Sequence, residues 1–166
     1  MGWLVSWWAS KVRQLRQHLG ARVTPQERAG LAAWLRPAEL ALFEQMHPAD
    51  RRHGLDVAAH LRAAGVADRD VLAAGLLHDC GKGNIGPGPR IAWSLGEHYG
   101  TWMLRIAQRV PGWKAPLERL RTHAETSAAA LETAGLSARA VALVREQAAP
   151  SDPEYGVRFA AADDAC

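Results

Sequence analysis

The residues most able to do chemistry stand together at His78-Asp79-Cys80-Gly81-Lys82. They close the apolar run Val71-Leu72-Ala73-Ala74-Gly75-Leu76-Leu77 and lead into a segment of glycines and prolines. Imidazole and carboxylate are common ligands of a catalytic divalent metal. A lysine close by supplies a point charge for a phosphate oxygen. The pattern points to metal-assisted attack on a phosphoryl group, with Asp79 and Lys82 as the residues nearest the chemistry.

A catalytic metal needs three or four protein ligands and one open position, so other segments must contribute. His53 precedes Val57 and Leu61 by one and two helical turns and shares their inward face. It is the best third ligand. His60, seven residues on, faces a similar way and fits pocket, core or surface. Near the C-terminus, Ala160-Ala161-Ala162 allows close helix packing, and Asp163 or Asp164 then supplies a carboxylate. A buried carboxylate needs a partner, and a metal is one.

These pieces resemble the HD-domain superfamily of metal-dependent phosphohydrolases. The local patterns are Arg-His-x-Leu-x-Val-Ala at His53, Leu-Leu-His-Asp-x-Gly-Lys at His78-Asp79, and Ala-Ala-Asp at Asp163. The likeness covers roughly residues 47 to 166. It implies an all-helical fold and a Mn, Mg, Fe, Co or Ni ion held by His53, His78, Asp79 and Asp163. It also implies a small phosphorylated substrate such as a nucleotide, cleaved as a phosphomonoester or phosphodiester. A regulatory module that binds metal or nucleotide without turnover is the alternative. His123 and His98 are the candidates for additional metal or substrate contacts. Where binuclear members often carry a further histidine, this chain has Glu146-Gln147, and the long signature of the cyclic-dinucleotide branch is missing.

Arg52 and Arg90 are further candidates for holding phosphate oxygens. The glycines at 81, 83, 86 and 88 either offer backbone N–H groups to an anion or form a plain connector. They are not a Walker loop, because Gly83 stands where that motif needs Ser or Thr. Cys80 is a poor nucleophile, because the adjacent Asp79 raises its pKa.

The elements that must position these groups read as helices throughout. Apolar residues make up 48% of 166 residues, enough for one core at this length, and no segment alternates apolar and polar over strand length. The expected fold is an all-α, HD-type bundle over 21–166. The expected helices run from Thr24 to about Leu35, Pro37 to Met46, Pro48 to Ala64 and Arg69 to Asp79. Others are expected at about 90–109, 115–134, 137–148 and 153–165. Residues 1–20 form a separate amphipathic element: Leu4, Trp8, Leu15 and Leu19 recur at helical spacing, with Trp3 and Trp7 beside them and Lys11, Arg13 and Arg16 opposite. Two readings fit it, an interfacial membrane anchor and a helix packed on the domain or a partner.

A net charge of +3 is too mild to argue for nucleic acid. Two unpaired cysteines fit a reducing compartment. No apolar run reaches the ~18 residues of a membrane span. The expected location is cytoplasmic, with peripheral membrane contact through residues 3–19 left open, and the oligomeric state is not readable.

Overall fold

The computed structural model describes residues 22–166, and the proposed N-terminal helix lies outside the described residues. Nine α-helices and no strand make up the described residues. They are α1 (Pro25–Ala32), α2 (Pro37–Gln45), α3 (Pro48–Ala63), α4 (Arg69–Leu77), α5 (Pro87–Tyr99), α6 (Thr101–Ala107), α7 (Lys114–Thr133), α8 (Ala138–Arg145) and α9 (Gly156–Ala165). A short 3-10 turn, Cys80–Lys82, joins α4 to the α5 segment. The all-α reading holds.

Helix starts follow local chemistry. Thr24 and Glu27 form a reciprocal capping box at α1, with Pro25 in the first turn. The Asp68 carboxylate accepts from the N–H groups of Asp70 and Val71 at α4, and Ser137 caps α8. The expected single helix over 90–109 is two. Gly100, at φ 107°, breaks it between α5 and α6, a conformation that residues with a Cβ rarely adopt. The helix carrying His78 also ends earlier than expected, at Leu77. His78 is its C-cap, and Asp79 opens the 3-10 turn.

α4 is the centre of the bundle. Every residue from Val71 to Leu77 is buried, as befits a helix with no polar stripe. α2, α3, α7 and α8 pack around it, and α9 packs on α3. The 3-10 turn rests against α7. A second, smaller cluster of Ile85, Ala107, Leu117 and Leu120, with Trp93, Leu104 and Trp113, fastens the α5–α6 pair to α7. No helix among the described residues is long and apolar enough to cross a membrane.

One buried ion pair braces this arrangement. Glu39 of α2 is fully buried and receives both guanidinium nitrogens of Arg69, with Arg69 Nη1 at 2.6 Å from Glu39 Oε1. Asp70, next in α4, accepts from the Ser137 N–H at 2.7 Å and so ties α4 to the start of α8.

α3 and α4 approach closely at Gly54. A Cβ built at Gly54 would run into the carbonyl oxygen of Leu76, which is backbone and cannot swing aside. We expect Gly54→Ala to lower the unfolding free energy by about 1–3 kcal/mol through overpacking, read as a lower denaturation midpoint in urea.

Candidate metal centre

Three side chains from three helices meet at one point. His53 projects from α3, His78 from the end of α4 and Asp163 from α9. Asp163 Oδ1 lies 2.9 Å from His53 Nε2 and 3.2 Å from His78 Nε2. Ligand atoms of the three lie within 4.8 Å of one another, across 110 residues of chain. The two imidazoles meet edge to face with centroids 5.1 Å apart, and Phe159 of α9 backs the ring of His78. Of the two acids left open by the sequence, α9 turns Asp163 into this cluster.

The burial is graded. The His78 side chain is 2% exposed, while His53 and Asp163 are 26% and 35% exposed. The trio is anchored in the core and opens to solvent on one side, as a ligand site with an accessible position requires.

Asp79 stands beside the trio rather than within it. Its Oδ2 is 3.6 Å from His78 Nε2 and accepts a 2.5 Å hydrogen bond from Lys82 Nζ. Its Oδ1 is 3.6 Å from His123 Nε2. His123 projects from α7, where its Nδ1 donates to the Leu120 carbonyl at 2.6 Å. The neutral ring then has an acceptor at Nε2, and the Gln147 side-chain amide donates to it at 2.9 Å. Gln147 therefore occupies the lone pair that a second ion would need. Its position was conspicuous in the sequence, but its hydrogen bond was not readable there.

The other candidates lie apart from the trio. Arg52 points towards α1 and pairs with Glu27 and Asp56, at 2.6 Å each, because one residue of helix turns it about 100° away from His53. Arg90 grips the buried Asp50 with both terminal nitrogens and donates to the Ile85 carbonyl. His98 sits in the last turn of α5, edge-on to Tyr99, on a helix that packs against α6 and α7. His60 is exposed, with Nδ1 near the Asp56 carbonyl and Cys166 Sγ. Two of the four glycines serve packing: the Gly81 N–H donates to Ser127 Oγ at 2.8 Å, and a Cβ there would meet the His123 carbonyl oxygen at 2.6 Å, whereas Gly83 and Gly86 have open space around them. Gly88 lies equally close to Trp113, where a Cβ would approach the indole within 2.7 Å. At Gly81 and Gly88, close packing is the reason for glycine.

The charges at the site compensate one another. Burial works against a charged His78, yet Asp79 and Asp163 outweigh it and push its pKa up to about 9. Burial opposes ionisation of Asp79, but Lys82 first, then the histidines, hold it well below the usual carboxylate range. Asp163 is likewise held low, against burial, by hydrogen bonds from His53 and His78. Lys82 stays cationic because Asp79 and Asp50 overcome its burial. Burial and then Lys82 lower His123 and favour its neutral form. Cys80 is pushed up to about 11, by burial more than by Asp79, so its thiol stays protonated near neutral pH.

The donor set suits a divalent transition metal. Two imidazole nitrogens and a carboxylate oxygen are a common mixed set. The His78 Nδ1–H donates to the Gly75 carbonyl at 2.8 Å, which orients the ring and directs Nε2 to the cluster, the outer-shell support typical of ligating histidines.

No protein-family model, curated protein or solved structure matches this chain.

The metal-free protein has a definite pH signature. With a folded pKa of about 9 against an ordinary 6.5, His78 contributes stability that is fully present below about 6.5 and is lost as pH rises through about 9. Thermal unfolding of chelator-treated protein across this window is expected to show a falling Tm, with a shallower fall for Asp163→Asn.

Proposed function

We propose that the protein is a metal-dependent phosphohydrolase of the HD type, acting on a nucleotide or another small phosphate ester. The observation that carries this reading is the convergence of His53, His78 and Asp163 beside the Asp79–Lys82 pair. His53, His78 and Asp163 would hold the ion, with Asp79 near enough to join or to orient a bound water. A divalent ion there supplies a Lewis acid and acidifies its bound water.

The chain's own residues do the rest. Asp79 is anionic near neutral pH and accepts hydrogen bonds, so it can turn a water molecule towards a phosphorus atom. Lys82 holds three N–H donors and a charge next to that carboxylate, where they can meet phosphoryl oxygens as negative charge develops. His123, neutral and fixed by Leu120 and Gln147, adds a polar wall without adding charge. Burial of His78 and Asp79 strengthens each of these interactions by keeping water out. The proton that His78 holds in the metal-free state must leave when metal binds, so binding tightens as pH rises.

A second reading has one observation in its favour. Lys82 and Asp79 are paired with each other at 2.5 Å, which suits a regulatory module that binds metal or nucleotide without turnover.

Metal analysis of the purified protein, paired with phosphatase and phosphodiesterase substrate panels under several divalent ions, tests both readings. The hydrolase reading expects about one equivalent of transition metal, lost in His78→Ala and Asp163→Ala. It expects Lys82→Ala to keep the metal while kcat/KM drops about 10²- to 10³-fold. Metal without turnover, together with a higher Tm on adding nucleotide, would select the regulatory module. Protein that binds no metal and gains no activity on adding Mn or Co would refute the proposal.

A further inference from the structure

Helices normally turn their apolar stripe inward. α6 and the turn after it keep one outside. Trp102, Ile106 and Val110 recur at i, i+4 and i+8 and are 51%, 54% and 39% exposed. Arg105 and Arg109, also exposed, fall at i+3 and i+7 of the same face. The opposite side of α6 is already satisfied, since Leu104 and Ala107 belong to the cluster that fastens it to α7. The neighbouring helix adds exposed Ile91 and Tyr99. Among the described residues, five of the six large exposed hydrophobics therefore lie within 91–110. Within α6 and its turn, Trp102, Ile106 and Val110 share one side at helical spacing, which is a stripe rather than single scattered residues.

Its charge is one-sided. Arg105 and Arg109 form no ion pair among the described residues, Lys114 faces Glu118 one turn on, whose carboxyl it helps to hold low, and Glu97 is the only acid from residue 87 to residue 114. Arg121, Arg139 and Arg145 have carboxylate partners within the chain, Glu118, Asp152 and Glu125, whereas Arg119 and Arg158 are exposed and make none among the described residues. Arg105 and Arg109 of the α6 face are thus open to acceptors from outside the chain. A second copy would not provide them, because a twofold contact sets this face, with its two arginines and no acid between residues 98 and 114, against the same face.

We propose that the face from Trp102 to Lys114 docks on an anionic lipid bilayer. The chemistry fits each part. Indole and phenol rings settle at headgroup level, aliphatic side chains sink just below it, and Lys and Arg meet lipid phosphates. The Trp102 indole N–H already donates to the Tyr99 carbonyl at 3.0 Å, so the ring enters an apolar layer without stranding its donor. The mode is surface binding, since no helix among the described residues is long and apolar enough to span. The proposal does not depend on hydrolysis.

Co-sedimentation of the full chain with vesicles of phosphatidylcholine, with and without phosphatidylserine, tests it. The full chain is expected to pellet with the serine-containing vesicles and much less with the others. Trp102→Ser/Ile106→Ser should weaken partition at least about tenfold, and Arg105→Gln/Arg109→Gln/Lys114→Gln on the order of a hundredfold. Both sets of side chains are exposed, so the thermal unfolding midpoint should hold and separate lost binding from lost folding. Retention of binding by either variant overturns the proposal; this is also the outcome expected if the N-terminal tryptophans alone were the anchor. Failure of the parent to bind overturns it. So does a concentration-dependent dimer abolished by Trp102→Ser/Ile106→Ser, which would make a second copy the occupant.

Discussion

A helix without a polar face has to be enclosed, and enclosing α4 organises everything else. Four helices pack around it, and its last residue leads straight to His78. The end of the most buried element is thus where the chemistry-bearing residues emerge. α3 runs beside α4 and delivers His53; α9 packs on α3 and delivers Asp163. The site stands at the end of the core, where positions are set by packing rather than by loops.

That placement carries an electrostatic cost, which the site offsets internally. Asp79 and His78 are almost wholly buried and both are held ionised in the metal-free protein. Lys82 and Asp163 supply the opposite charges from the turn and from α9. His78 and Asp79 are thus held in place from several sides, while His53 and Asp163 border solvent. The Glu39–Arg69 pair follows the same rule without chemistry: it is enclosed, doubly bonded and tied to helix packing.

Much of this was readable beforehand, for physical reasons. The caps at Thr24, Asp68 and Ser137 are local, so their helices were predictable. The run from Val71 to Leu77 announced a buried helix, and the apolar register around His53 announced its inward face. The break at Gly100 was not foreseen, since a glycine inside a periodic pattern is ambiguous until its φ is known. Pairings between distant residues were hidden for a different reason. Nothing near Arg90 in sequence indicates Asp50, nothing near Arg52 indicates Glu27, and nothing near His123 indicates Gln147. Those contacts exist only after the helices are stacked, and they show Arg52 and Arg90 already held by carboxylates.

The contact between Gly54 and Leu76 has a meaning beyond packing. Gly54 follows His53 directly, and Leu76 stands two residues before His78. The spacing of the two backbones that carry the imidazoles is therefore set by a close approach that leaves no room for a Cβ at Gly54. A larger residue at 54 would push α3 from α4 and so part the two histidines, which ties the geometry of the trio to one missing side chain.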